Sequence, residues 1–349
     1  MKEFCQMPSR LRKTAALRDL VQETKIRPDD FVMPLFFKCG TGSETVASMP
    51  GIEKMSEPVL CREVEELDRQ GVKAILLFGS AGKKDENGSA SYDENSQFHR
   101  AIRKIKQTSG VTVIADVCLC AYTDHGHCGI MKSTRAQELP AGQAGLGRKT
   151  CKKKSSTNGS VLMDSERTLE SLAKIAVSYA VAGADVVAPS AMADGQVRAI
   201  RQGLDRNGFD GTPILSYSAK YASSFYGPFR DIADTHPSFG DRKSYQMDPG
   251  NVKEAIREAQ LDVAEGADMV MVKPAILYLD VIRAVSGCVN VPVAAYNVSG
   301  EYAMLKAAAA KGWVDEKSAA LEMLTAMKRA GASVLITYWA KEASEWLKG

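Results

Sequence analysis

No apolar run in this chain approaches the roughly 18 residues a membrane-spanning helix needs, so a membrane protein is not expected. Neither sign of charge is in excess. The 45 Lys and Arg against 42 Asp and Glu leave a formal net charge of +3, which gives no reason to expect nucleic acid or another polyanion as partner. Cysteine is sparse, eight in 349 residues, too few for a disulfide scaffold. Met1–Leu20 carries Lys2, Arg10, Arg12, Lys13 and Arg18 but lacks an apolar h-region, so a secretory signal is not expected, and a transit peptide or a packed arm remains. The expected location is cytoplasmic, or else an organelle.

What is present is the composition of a globular protein, 45% hydrophobic and 25% charged. Eight short apolar runs recur: Phe31–Phe37, Ala74–Phe78, Thr112–Val117, Asp185–Ala188, Ile214–Tyr217, Met269–Val272, Pro292–Ala295 and Ser333–Thr337. Stretches with helical spacing lie between them, such as Ser165–Ala182, Asn251–Glu265 and Glu316–Arg329. That alternation predicts βα units on a parallel sheet, and eight of them suit a closed (β/α)8 TIM barrel. Ala182-Gly183-Ala184, Glu265-Gly266-Ala267 and Ala330-Gly331-Ala332 each precede an apolar run, as expected where a helix stops on a glycine and a strand follows. The polar residues at or just past the strand ends are Ser80, Cys118, Ser190, Lys220, Lys273, Ser299 and Tyr338, and barrels place their chemistry there.

Two segments are long. Tyr221–Gly250 is rich in aromatics, glycine and proline and holds Arg230 and Arg242; it reads as a lid over an anionic ligand. Residues at about 131–160 are polar and basic, with Lys152-Lys153-Lys154, and read as a flexible solvated insertion.

Cysteines cluster at only one place. Asp116-Val-Cys118-Leu-Cys120, followed by His125-Gly-His127-Cys128, places three thiols around a strand end. In an extended chain Cys118 and Cys120 face one side, and a turn at Gly126 returns Cys128 to them. Three thiolates suit zinc with a fourth position open; the two histidines offer a closed structural site instead. Lys273 ends Met269-Val-Met-Val-Lys273-Pro, and Lys220 ends the preceding run. Burial and mutual repulsion of two amines lower the pKa of at least one, which suits Schiff-base chemistry on a carbonyl.

Four segments carry a resemblance: Cys118-Leu-Cys120 through Cys128-Gly, Ser216-Tyr-Ser-Ala-Lys220 through Phe229-Arg230, Met271-Val-Lys273-Pro, and Val298-Ser299-Gly-Glu-Tyr. Together, and extending from Arg10 to Tyr338, they resemble the porphobilinogen synthase (5-aminolevulinate dehydratase) family, zinc-dependent branch. The resemblance implies condensation of two 5-aminolevulinate molecules into porphobilinogen with loss of two waters, in tetrapyrrole (haem) biosynthesis. It implies Schiff bases at Lys273 and Lys220, one substrate carboxylate on Ser299 and Tyr338, and the other on Arg230, Arg242 and Gln246. It also implies catalytic zinc on Cys118, Cys120 and Cys128, an allosteric magnesium on Glu258, and a homo-octamer. An N-terminal arm at residues 1–28 would make subunit contacts, and residues 29–349 would form the barrel. Between Gly129 and Asp164 the chain runs roughly two dozen residues longer than the family pattern, a length unusual for a loop. A class I aldolase would also use a barrel lysine, but has no need of the thiol cluster or a second lysine. A zinc-stabilised binding protein would not need the lysines.

Overall fold

The computed structural model describes residues 7–132 and 162–348. The insertion expected at about 131–160 therefore lies, apart from residues 131 and 132, outside the described residues, as do residues 1–6 of the expected arm.

The eight apolar runs all form strands. β1 (Phe31–Phe37), β2 (Ala74–Phe78), β3 (Thr112–Val117), β4 (Val186–Pro189), β5 (Leu215–Lys220), β6 (Met269–Lys273), β7 (Val293–Tyr296) and β8 (Val334–Ile336) pair in parallel, each with its sequence neighbour, and β8 pairs β1. Between β4 and β5 the ring closes through a single bridge, Val187 to Ile214. The result is a nearly closed barrel wrapped by helices. Most of its strands read as continuous apolar runs because both faces are covered, by the barrel interior and by the helix layer, β5 (Leu-Ser-Tyr-Ser-Ala-Lys) being the exception. Phe31–Phe37 is buried along its whole length.

Helix ends fall where the sequence puts them. The side chains of Ser96, Asp164 and Asp315 accept from the amides of His99, Arg167 and Ser318, capping three N-termini. Gly183 and Gly331, at φ of 99° and 125°, take the left-handed turn that carries a helix into the next strand. Five of the eight runs differ from the strands by one to three residues at an end, and two of these differences have identifiable reasons. Asp185 is not the first residue of β4, because its Oδ2 accepts from Val113 N (2.8 Å) and Lys106 Nζ (2.7 Å). β5 runs three residues further than expected, to Lys220, through a register shift between Ser216 and Ala219.

The N-terminal pieces Pro8–Arg12 and Ala15–Leu20 contain no buried residue. Among the described residues, no helix is long and apolar enough to cross a membrane.

Candidate active site

β5 and β6 end on Lys220 and Lys273, which are register partners across the pair. Both side chains are buried, at 6% and 4% exposure. Lys273 Nζ sits among aromatic rings, 4.2 Å from the centroid of Tyr296, 4.9 Å from Phe229 and 5.0 Å from Tyr217. Lys220 Nζ lies 5.4 Å from that same Tyr217 ring and donates to the Ser190 carbonyl at 2.5 Å. Ring faces attract an ammonium but do not replace its hydration. Burial, and then the Lys220 charge, bring the Lys273 pKa down to about 7, with Asp116, Cys120 and Cys118 pulling the other way. An amine with that pKa is substantially neutral, and so nucleophilic, at neutral pH.

Asp116 faces both lysines from β3. Burial raises its pKa while Lys220 and Lys273 oppose the rise, and its Oδ1 is buried with no hydrogen-bond partner among the described residues.

The three sulfurs of Cys118, Cys120 and Cys128 lie within 4.8 Å of one another, all buried. The expected route to this arrangement needs correcting. β3 stops at Val117, and directly after Cys118 the chain bends into the turn Leu119–Tyr122 rather than staying extended, closed by Tyr122 N and Thr123 N donating to Leu119 O, 2.9 Å each. The turn, not strand alternation, brings the Cys118 and Cys120 sulfurs to 3.3 Å. The Cys118 and Cys120 thiols hold Cys128 well below the usual thiol range, and contact with Cys120 and Cys128 pushes Cys118 well above it. Contact between the three sulfurs favours loss of a proton from the group as a whole, and a bound cation would draw off the remaining protons.

Neither histidine belongs to the thiol group. His125 Nδ1 accepts from His127 N (3.1 Å) and its Nε2 donates to Glu86 O (3.3 Å). His127 Nε2 donates to Phe239 O (3.0 Å), leaving Nδ1 to accept from the Tyr245 hydroxyl (2.9 Å). With the ring nitrogens engaged elsewhere, the arrangement fits a three-thiol site, not the closed site with histidine.

The segment after β5 folds back over the barrel mouth through the short helix Gly227–Ala233, and returns where Met247 N donates to Lys220 O (3.1 Å). Arg242 is 6% exposed; its Nη2 donates to the carbonyls of Thr235 (2.6 Å) and Gly126 (2.9 Å). Burial would lower the Arg242 pKa, but the sulfurs of Cys128 and Cys120 outweigh it and raise it. Arg230 is half-buried, and burial together with the Arg242 charge lowers its pKa. Nε of Arg230, Nε of Arg242 and both amide atoms of Gln246 are buried without partners among the described residues. Buried polar atoms left unpaired are costly, and the three donors among them, Nε of Arg230, Nε of Arg242 and Nε2 of Gln246, fit a carboxylate.

Ser299 opens the helix Ser299–Ala310 just past β7. Its hydroxyl accepts from Phe229 N (2.9 Å) and donates to Phe225 O (3.3 Å), so here it ties down the base of the overlying segment. A Cβ on the next residue, Gly300, would stand 2.5 Å from Phe225 O, so that base packs directly on the glycine. Tyr338, past β8, shares a 3.1 Å hydrogen bond with Tyr296. Glu258 lies apart, on Val252–Glu265, beside a cavity of about 330 Å³ that Gln246 and Tyr245 also line. Burial, then Asp262, Asp194 and Glu254, push its pKa up to about 7. Among the described residues the only cluster of three or more metal-type side chains is the thiol trio.

Sequence reasoning missed the aromatic surround of Lys273, because Tyr217, Phe229 and Tyr296 come from three separate segments. It also missed Glu301. This buried carboxylate accepts from Ile276 N (2.8 Å) and Val298 N (2.9 Å) and so joins the loops after β6 and β7. Its place three residues after the helix N-cap was the available signal.

Comparison with known proteins agrees over nearly the whole chain. A family model described as delta-aminolevulinic acid dehydratase matches residues 5–346. Proteins of that name from Halalkalibacterium halodurans and Bacillus subtilis are 50% and 47% identical over 340 residues. Each alignment covers 97% of this chain, with 95% and 97% of the relatives' own lengths. The solved structure of Toxoplasma gondii delta-aminolevulinic acid dehydratase (porphobilinogen synthase), in complex with the reaction product porphobilinogen, superimposes with a TM-score of 0.88. It is 43% identical, covering 99% of this chain and 92% of that one.

Proposed function

The chain belongs to the delta-aminolevulinic acid dehydratase family, and from that premise we infer how its own residues carry out the family's reaction. It is an enzyme, a lyase of porphyrin biosynthesis that condenses two 5-aminolevulinate molecules into porphobilinogen with loss of two waters. The observation that carries our assignment of roles is the pair of buried amines, Lys220 and Lys273, in register on neighbouring strands.

Lys273, neutral in good part near pH 7, attacks the ketone of one substrate and expels water to give an imine; Lys220 does the same to the other. Each imine withdraws electrons from its carbon; one loses an adjoining proton to give the enamine that attacks the other imine carbon, and formation of the C–C bond and then of the ring C–N bond releases both lysines as free amines. Asp116, buried beside both amines with a free oxygen, takes up and returns protons. Arg230, Arg242 and Gln246 hold one substrate carboxylate with donors that are otherwise unpaired. Ser299 and Tyr338 hold the other, which requires the Ser299 hydroxyl to exchange its present backbone partners. The segment 221–250 acts as the lid, excluding water once the carboxylate is bound.

Cys118, Cys120 and Cys128 are the ligands we assign to zinc; all-sulfur coordination by three thiolates suits that ion, keeps a fourth position open, and would supply Lewis-acid polarisation of the second substrate. Glu258 we assign to a regulatory magnesium. The carboxylates that raise its pKa form a negative environment which a hard divalent cation would relieve. Residues 1–28 act as an arm between subunits of a homo-octamer in the cytoplasm. The absence of buried residues from Pro8–Arg12 and Ala15–Leu20 supports the arm.

The test is pyrrole formation from 5-aminolevulinate with and without a zinc chelator. Pyrrole formed by zinc-replete protein and lost on chelation is expected. Full activity after complete metal removal would overturn the role of the thiols, and no pyrrole at all would overturn the whole reading.

A further inference from the structure

His127 and Gly126 touch neither lysine, and no step above uses them. The turn they form is nevertheless where the lid rests. Ser238 N donates to His125 O (3.0 Å), and Arg242 Nη2 donates to Gly126 O (2.9 Å). The His127 ring bonds Phe239 O and the Tyr245 hydroxyl at once, and packs against the Phe239 ring at a tilt of 48° with centroids 4.8 Å apart. Gly126 has φ of 71°, and a Cβ there would stand 2.5 Å from the His236 carbonyl oxygen, so lid backbone lies directly against the turn. Thr123 Oγ1 closes the turn from within by donating to His127 O at 3.0 Å. The next residue along the chain is Cys128.

We propose that His127 is a positioning residue that couples metal binding at Cys118, Cys120 and Cys128 to seating of the lid. The inference rests on the thiols being the metal site. With Cys128 tied to the other two sulfurs, the His127 ring and the Gly126 carbonyl are fixed where the lid contacts can all be made together. Without that tie, each contact must also order the turn, at a cost in conformational entropy. Linkage is reciprocal: a seated lid holds Cys128 in place and tightens the metal by the same factor. Arg242 is thereby placed for the substrate carboxylate by a device that begins at the metal.

The experiment is hydrogen exchange of lid amides 235–246 in the full chain, metal-stripped and then titrated with zinc, without substrate. In the wild type, exchange is expected to slow about tenfold on zinc binding, within the usual range of coupling between sites. His127→Phe keeps the ring and loses both hydrogen bonds; it should still take up zinc, about tenfold more weakly, and show less than a twofold change in lid exchange. Tyr245→Phe removes one of those bonds from the lid side, together with the tyrosine hydroxyl's bond to the Cys128 backbone, and should blunt the response while leaving all three sulfurs in place. Zinc uptake with an indifferent wild-type lid would overturn the coupling alone, as would a full response in His127→Phe. If that variant does not fold, a full response in Tyr245→Phe overturns it instead. Failure of the wild type to take up zinc would remove the thiol reading and the coupling with it.

Discussion

Lys220 and Lys273 stand opposite one another because β5 carries one residue more than its partner. The pairing runs Leu215 to Met269 and Ser216 to Val270, then resumes at Ala219 to Val272 and Lys220 to Lys273, so Tyr217 and Ser218 together oppose Met271. Strict alternation would put Lys220 on the face of Ser216, whose hydroxyl points to Asp262 on the surrounding helix at 2.7 Å. The bulge reverses the parity and sends Lys220 into the barrel. Tyr217, between the two registers, presents its ring to both amines.

Lys273→Ala is expected to reduce turnover by about 10³-fold or more, the scale of losing a covalent nucleophile. Borohydride with 5-aminolevulinate should add covalent mass to the wild type at Lys273 and not to the variant. Near-normal turnover would show that Lys273 is not the principal amine.

The lowered Lys273 pKa sets a pH dependence of both rate and stability. The neutral amine is the nucleophile, so kcat/KM should rise with pH through about 7 and fall about tenfold per unit below it. Between about 7 and the ordinary 10.5 the unfolded chain binds a proton that the folded chain does not, so stability rises with pH across that window. Below it both states are protonated, and the penalty of burying the charge is complete. Thermal melting of Lys273→Met against wild type from pH 7 to 10 should show that part of the slope removed.

Cys128→Ser should lose bound zinc, measured by metal content, and with it most pyrrole formation. Its far-ultraviolet dichroism should stay unchanged, because serine is close to cysteine in size and Cys128, though buried, lies outside the strands and helices.

Arg242→Ala removes a buried donor from the proposed carboxylate site. A hydrogen bond to a charged partner is worth about 1.5–3 kcal/mol, so kcat/KM for 5-aminolevulinate should fall roughly 10- to 100-fold. Gln246→Ala, which removes a neutral donor, should cost less. Equal effects from both would argue against a carboxylate there.

Gly300→Ala tests whether the lid base must sit directly on the helix below it. The added Cβ would meet Phe225 backbone, with Phe225 Cα at 2.7 Å as well as the oxygen. Steady-state kinetics should show a raised KM, with protein stability falling by about 1–3 kcal/mol, the range for overpacking. An unchanged KM would show that the lid base can shift freely.

The barrel was legible in the sequence because strands covered on both faces are mostly apolar, and most helix stops at positive φ are glycine. Phe31–Phe37, Met269–Val272 and Gly331 are local requirements that the chain states locally. The strand-end lysines and the thiol spacing were legible for the same reason, as chemistry concentrated in short segments. Only the tertiary structure decided which way those groups point. The bulge that turns Lys220 inward leaves no mark in residue type, since Tyr217 and Ser218 suit regular strand as well. The turn that gathers Cys118 and Cys120 leaves no mark in their spacing, which an extended chain satisfies equally well. His127 turned out to face the lid because Phe239 and Tyr245, more than 110 residues away, offer its nitrogens better-placed partners than the sulfurs beside it. Periodicity and spacing carry what a residue requires of its neighbours in sequence; orientation depends on contacts between segments, and those exist only once the ring has closed.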